Sequence, residues 1–357
     1  MGWLRTGVLP RPSSPDAVAE LVAAARGQRV AGLLHAAIEG EDDGWPEAIR
    51  EELREVYHQS FSAGVAQLEL AARVQKLLNE AGLRCLPLKG AALAELLYDS
   101  VAERPMVDVD VLALDDWRTS VEVLRGAGFR EQLRADHAWS FSNPATGGVL
   151  ELHHSICSCP GLFPLDSEGL WRRSLAGSGQ VGRRPASADL LVQLSLHAAF
   201  QSGLVLSLVQ YLDLRRLLER DPPDAGLLLD VTRQARAEAA VIAAVEAARV
   251  TAGCPELPKE LRRGLAAGLG RGFEAWLRER TSDPEGLVRP VACPLGRARW
   301  ELARGQRGAL LLATVAPRER GEPAWSRRRL AQAPRRAWRL LRYWAPRSVR
   351  AWRRPRA

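Results

Sequence analysis

Leu86-Pro87-Leu88-Lys89-Gly90-Ala91-Ala92-Leu93, followed by Arg104-Pro105-Met106-Val107-Asp108-Val109-Asp110-Val111-Leu112, is the stretch on which the fold turns. The apolar run Arg84–Leu88 reads as a short strand, and Lys89-Gly90 leads from it into a helix over Ala91–Tyr98. In the second segment Val107, Val109 and Val111 alternate with the acids. That period of two puts Asp108 and Asp110 on one face of a strand. Like charges so placed repel, and burying them unpaired is costly, so a cation is their natural partner. Hard oxygen ligands suit Mg²⁺ or Mn²⁺ shared with phosphates. A glycine at a helix N-terminus lets a phosphate approach the backbone closely, which singles out Gly90.

Working outward, apolar residues recur every three or four positions through residues 16–80, so that region reads as helices broken by a polar turn at Gly40–Pro46. Asp115–Arg125 reads as a helix with Asp115 or Asp116 as N-cap, stopped by Gly126 and Gly128. Two extended runs, His137–Ser142 and Val149–Ser155, flank a turn at Asn143–Gly148. The second carries Glu151, with His153 on the same face and His154 on the other. Beyond about residue 187 the pattern is helical again, through Leu190–Ala198, Leu204–Leu218 and Ala235–Val250. The expectation is an α+β protein: a mixed sheet with helices over 81–187, an N-terminal helical region over 1–80, a C-terminal helical domain over 188–290 and a basic tail over 291–357.

Composition narrows the function classes. Hydrophobic residues make up 46% and charged residues 26%, an ordinary globular composition. The net charge of +8 is uneven: from Arg297 onward 18 arginines face only Glu301, Glu319 and Glu322, so the body is acidic and the tail basic. That tail also holds Trp300, Trp325, Trp338, Trp344 and Trp352, a mixture able to contact a polyanion, lie on an anionic membrane surface, or pack onto the acidic body. The odd count of five cysteines, irregularly spaced, argues against a disulfide framework. Leu194–Leu214 is interrupted by His197, Gln201, Gln210 and Asp213 and reads as buried helix, with no transmembrane segment. No basic-then-apolar leader is visible, and the cytoplasm is the expected compartment. His153–Cys159 lacks the separated pairs of zinc sites, Gly268–Gly272 lacks a preceding strand, and no Gly-x-Ser-x-Gly elbow supports a serine hydrolase. His137 could approach the acids but reads better as a satisfied structural histidine, and Asp213, a lone acid in an apolar helix that packs on the sheet, wants a partner and could approach the site.

Leu88-Lys89-Gly90-Ala91-Ala92-Leu93, Arg104–Leu112 and Leu150-Glu151-Leu152-His153, in that order, resemble the uncharacterised nucleotidyltransferase family of the DNA polymerase β-like nucleotidyltransferase superfamily. The likeness runs over roughly residues 20–220 and takes in Gly128-Phe129 and the His197…Asp213 segment. It implies a polymerase-β-like catalytic core that transfers an NMP from an NTP to a hydroxyl-bearing acceptor by in-line two-metal displacement. On that likeness Asp108, Asp110 and Glu151 hold Mg²⁺ or Mn²⁺, and Lys89, Gly90 and Arg104 contact phosphates; His153, on the strand face of Glu151, is a candidate to support the acids from behind. The acceptor is left open: a protein side chain, a small molecule or a nucleic-acid end. The wider superfamily carries Gly-Ser where this chain has Gly90-Ala91. A non-catalytic nucleotide-sensing or assembly protein, and a nucleic-acid-binding module using the tail, are the alternatives.

Overall fold

Helices come first along the chain: α1 (Pro15–Gly27), α2 (Ala31–Ile38) and the long α3 (Glu47–Glu80). The computed structural model describes residues 14–39, 45–143, 147–159, 161–177, 179–288 and 295–303, together with positions 4, 5, 9, 306, 307 and 310. Ser14 caps α1, its hydroxyl accepting from the Ala17 amide, and the polar break expected near Gly40–Pro46 separates α2 from α3.

A five-stranded mixed sheet follows, in the order β1-β2-β5-β4-β3, from β1 (Cys85–Pro87), β2 (Val109–Ala113), β3 (Arg130–Arg134), β4 (Ala138–Ser142) and β5 (Val149–His153). The fold is therefore the mixed-sheet α+β architecture that the alternation of elements implies. Helix α4 (Lys89–Leu97) joins β1 to β2 by way of a 3₁₀ turn (Val101–Glu103), and α5 (Trp117–Gly126) joins β2 to β3. Of the two possible caps, Asp116 takes the role by accepting from the Arg118 amide, while Asp115 pairs with Arg84 at 2.6 Å.

β2 and β5 run parallel with Asp110 opposite Glu151 and Leu112 opposite His153, and β4 lies antiparallel on the other side of β5 with Ser140 opposite Glu151. Side chains alternate across the sheet, so one face is apolar throughout. Val109, Val111, Leu150, Leu152 and Phe141 pack there against Leu70, Val74 and Leu78 of α3 and Val121 and Leu124 of α5. His154 also belongs to that side, stacked on Trp117 at 4.5 Å between ring centroids. The opposite face carries Asp110, Glu151 and His153.

The remaining elements follow the sheet along the chain. They are α6 (Ser167–Arg173), α7 (Ser187–Ser195), α8 (Leu208–Arg220), α9 (Ala225–Ala235), α10 (Glu238–Ala252), α11 (Lys259–Ala266), α12 (Arg271–Thr281), α13 (Glu285–Val288) and α14 (Leu295–Leu302), with a two-stranded ribbon of β6 (Leu175–Ala176) and β7 (Arg183–Arg184). One apolar cluster links Val18, Leu34 and Leu53 of the N-terminal helices to Leu86 and Leu112 of the sheet and to Tyr211, Val241 and Leu265 of the C-terminal helices. Gly268 (φ +88°) and Gly270 separate α11 from α12, so the glycine cluster ends one helix and starts the next. Between α7 and α8 the helix continues as one π turn, Leu196–Gln201, a widened geometry that often accompanies functional sites. Cys85, Cys157, Cys159 and Cys254 are buried free thiols. The tryptophan- and arginine-rich tail lies almost wholly outside the described residues. At its start Arg299 lies over Phe200 and donates to the Phe200 carbonyl at 3.1 Å. No helix among the described residues is long and apolar enough to cross a membrane.

Candidate active site

The site is set by where β1 ends. The Leu88 amide donates to the Asp110 carbonyl at 2.9 Å, and the chain then turns at Lys89, which takes a left-handed φ of +46°. A non-glycine residue pays roughly 1–2 kcal/mol for that conformation. The turn withdraws β1 from β2, so pairing stops and Asp108 falls in a bend just before the strand rather than within it. Asp108 is consequently half-buried beside the exposed Val107, while Asp110 is 3% exposed.

Asp110, Glu151 and His153 come together, each offering a ligand atom within 4.8 Å of the others. The trio sequence reasoning favoured was Asp108, Asp110 and Glu151. The structure joins the last two, puts His153 third, and leaves Asp108 outside the group. Asp110 Oδ1 accepts from Lys89 Nζ at 2.6 Å and from His153 Nε2 at 2.7 Å; His153 Nε2 also lies 3.4 Å from Glu151 Oε2. The signal for His153 was present in the sequence, since residues two apart on β5 share a face.

These contacts fix the charges. Burial opposes ionisation of Asp110, but the Lys89 ammonium and the His153 hydrogen bond outweigh it and hold the carboxyl well below the usual range. Burial likewise pulls Lys89 and His153 down, yet Asp110 and Glu151 leave both above their ordinary values. Glu151 is held low by the hydrogen bond from His153. Asp108 moves the other way: burial and the like charge of Asp110 raise it, with Lys89 and Arg29 opposing. Asp108, Asp110 and Glu151 thus stand against Lys89 and His153, with Arg29 acting on Asp108, and Lys89 Nζ sits on Asp110 where an external cation would otherwise be needed. The carboxylate oxygens of Asp110 and Glu151 suit a divalent ion such as Mg²⁺ or Mn²⁺, while His153 Nε2, hydrogen-bonded to Asp110, orients them.

Of the expected phosphate contacts, Arg104 is engaged by another side chain, and Gly90 stands at the helix N-terminus where the sequence puts it. Arg104 is 6% exposed and gives its guanidinium to Asp213, with Nε to Oδ1 at 2.8 Å and Nη2 to Oδ2 at 2.7 Å. Asp213 accepts a further bond from Tyr98 Oη at 2.7 Å. Arg104 therefore ties α8 to the segment ahead of β2, and the lone acid of the apolar helix finds its partner there. Gly90 is buried in the first turn of α4, where an added Cβ would lie 2.6 Å from Met106 Cγ and 2.8 Å from Sδ. The close approach that demands glycine is made by Met106.

A ring of polar groups backs the acids. His137 Nδ1 lies 2.8 Å from Asp136 Oδ1, and its Nε2 accepts from the Gln201 amide at 2.8 Å, with the ring 5.6 Å from that of His153. His197 Nε2 accepts from the Gln210 amide at 3.1 Å. Burial first, and then the charge of Lys89, hold the His197 pKa down to about 3. The π turn supplies both His197 and Gln201, and the ring nitrogens Nδ1 of His153 and His197 are buried without a hydrogen-bond partner among the described residues.

Residues 14–253, two thirds of the chain, match the family model described as uncharacterised nucleotidyltransferase. The chain belongs to that family. No curated protein matches it. Among solved structures it aligns with the antibiotic-resistance factor ANT(2'')-Ia, at 14% identity over 61% of this chain and 92% of that one, with a TM-score of 0.28. It also aligns with an antigenic nucleotidyltransferase-like protein from Paracoccidioides brasiliensis, at 15% identity over 64% and 97%, with a TM-score of 0.29. Both likenesses are too distant to bear on the substrate. As a nucleotidyltransferase family member, the chain presents Asp110, Glu151 and His153 on the face of the sheet that α3 and α5 leave uncovered.

Proposed function

We propose that this chain transfers the NMP moiety of an NTP to a hydroxyl-bearing acceptor, with Asp110 and Glu151, joined by His153, holding a divalent ion and Asp108 available to a second. The observation that carries the reading is the convergence of those ligand atoms within 4.8 Å on in-register parallel strands, in a chain of this family. When bound, Mg²⁺ or Mn²⁺ neutralises the triphosphate and lowers the pKa of the attacking hydroxyl. The protein's own groups do the rest. Lys89 Nζ, at 2.6 Å from Asp110 Oδ1, is placed to shift its charge onto a phosphate oxygen once Asp110 is otherwise neutralised. The Glu151 side chain is 33% exposed, against 4% for Asp110, so of these two carboxylates it is the one an acceptor hydroxyl can reach. His153, held between the two acids, fixes their orientation.

The test is incubation with each α-³²P-labelled NTP and Mg²⁺ or Mn²⁺, scoring pyrophosphate release and label transfer to added acceptors and to the chain itself. Label transfer abolished in Asp110→Asn is the expected result. NTP binding without pyrophosphate release under any acceptor would move the assignment to a nucleotide sensor. No NTP binding at all would overturn it.

A further inference from the structure

With Arg104 bound to Asp213, the site lacks the arginine expected for a triphosphate, and Lys89 alone is a thin match for a polyanion. Another arginine meets the need. Arg29 follows the C-terminus of α1 in the left-handed region, at φ +58°. Around it the Val30 amide closes onto the Ala25 carbonyl at 2.8 Å and the Gln28 amide onto Ala24 at 2.9 Å. This is the helix-ending turn at which glycine is the usual residue, because only glycine adopts that backbone freely. An arginine held there against backbone preference points to a use for its side chain.

The turn is anchored to the walls of the site. The Gln28 side chain accepts from the Leu208 amide at 3.0 Å and donates to the Val288 carbonyl at 2.9 Å. The same start of α8 carries Gln210, which holds His197. On the other side α2 lies against the 3₁₀ turn, so tightly that a Cβ on Gly32 would strike the Ala102 carbonyl. That turn leads directly through Arg104 to Asp108. Arg29 is thus fixed between the two segments that flank the acids, and its charge reaches Asp108. Yet Arg29, a half-buried residue, makes no side-chain hydrogen bond or ion pair with any described residue. A guanidinium fork with no partner among the described residues, close enough for its charge to act on Asp108, suits bidentate phosphate binding.

We propose that Arg29 binds the β- and γ-phosphates of the NTP, acting with Lys89 in place of Arg104; the inference rests on the nucleotidyltransferase reading above. The test uses the full chain with Mg²⁺ and ATP, GTP, CTP and UTP in turn, by calorimetry, followed by the monophosphate of the tightest binder and by inorganic pyrophosphate. Arg29→Gly is the informative variant, because it removes the guanidinium while relaxing the backbone, and Arg29→Gln keeps length without charge. Loss of a charge-assisted pair should weaken NTP and pyrophosphate roughly ten- to hundred-fold in both variants and leave the monophosphate within about two-fold. Arg29→Gly should melt at or above the wild-type temperature. NTP affinity within two-fold of wild type in both variants would overturn the proposal, as would an equal loss for the monophosphate. A wild-type chain that binds no NTP would instead overturn the nucleotidyltransferase reading, and this inference with it.

Discussion

Replacing Arg104 with methionine tests whether that arginine is structural. Its side chain is 7% exposed and its partner Asp213 is 1% exposed, with two close N–H···O bonds between them at 2.7 and 2.8 Å. Arg104→Met leaves Asp213 buried with, among the described residues, only the Tyr98 hydroxyl, so the loss should be about 3–5 kcal/mol. Exchanging the pair, Arg104→Met with Asp213→Leu, removes the stranded charge. Buried pairs replaced by apolar residues of similar size are often near neutral. Tyr98 would then fall back on the Val209 carbonyl at 3.4 Å, so a residual cost of about 1–2 kcal/mol is expected. Urea denaturation of the wild type, both single variants and the double variant closes the cycle, with comparable slopes required for the comparison. Nucleotide affinity of the double variant, measured alongside, should stay within about three-fold of wild type. A single-variant loss below about 1 kcal/mol, or a double variant no more stable than Arg104→Met, would refute the reasoning. A stable double variant that no longer binds NTP would return Arg104 to the phosphates.

Other consequences follow from the same contacts. Lys89→Met removes the internal counter-charge of Asp110, so Mg²⁺ or Mn²⁺ should raise the melting temperature of that variant more than of wild type; equal shifts would count against metal at Asp110. Gly90→Ala should cost about 1–3 kcal/mol by overpacking against Met106, and Gly90→Ala/Met106→Ala should recover part of it in chemical denaturation. His197 is held neutral with a pKa of about 3, whereas the unfolded chain takes up that proton near pH 6.5. Its contribution to stability is therefore full above pH 6.5 and lost as pH falls toward 3. Between pH 6.5 and 5 the loss is up to about 2 kcal/mol, reduced by the ring's partial exposure, and His197→Gln should flatten that part of the stability–pH curve.

Short-range patterns carried much of this architecture. Alternation in 107–112 and 149–153 located both central strands, placed Asp110 and Glu151 on one face, and sent His154 to the other. The start of β2 was misplaced because alternation continues through Val107 and Asp108, while pairing depends on where β1 turns away at Lys89. Strand β3, reading Arg-Glu-Gln-Leu-Arg, has no apolar rhythm and exists by pairing with β4 at the sheet edge. The partner of Arg104 lies 109 residues onward, and no local pattern announces a buried ion pair across that distance. Arg29 is equally silent: nothing in the local sequence marks it as the left-handed residue that follows α1. The π turn that delivers His197 and Gln201 has no sequence mark either, since it is a change of hydrogen-bond register within an otherwise regular apolar helix.

The central claim, that Asp110, Glu151 and His153 form a metal–nucleotide centre, is tested most directly by Mn²⁺ titration followed by electron paramagnetic resonance, with and without NTP. Saturable Mn²⁺ binding that tightens when NTP is added, and that is lost in both Asp110→Asn and Glu151→Gln, is the predicted result. Mn²⁺ binding that persists in those variants, or that is indifferent to NTP, would contradict the account.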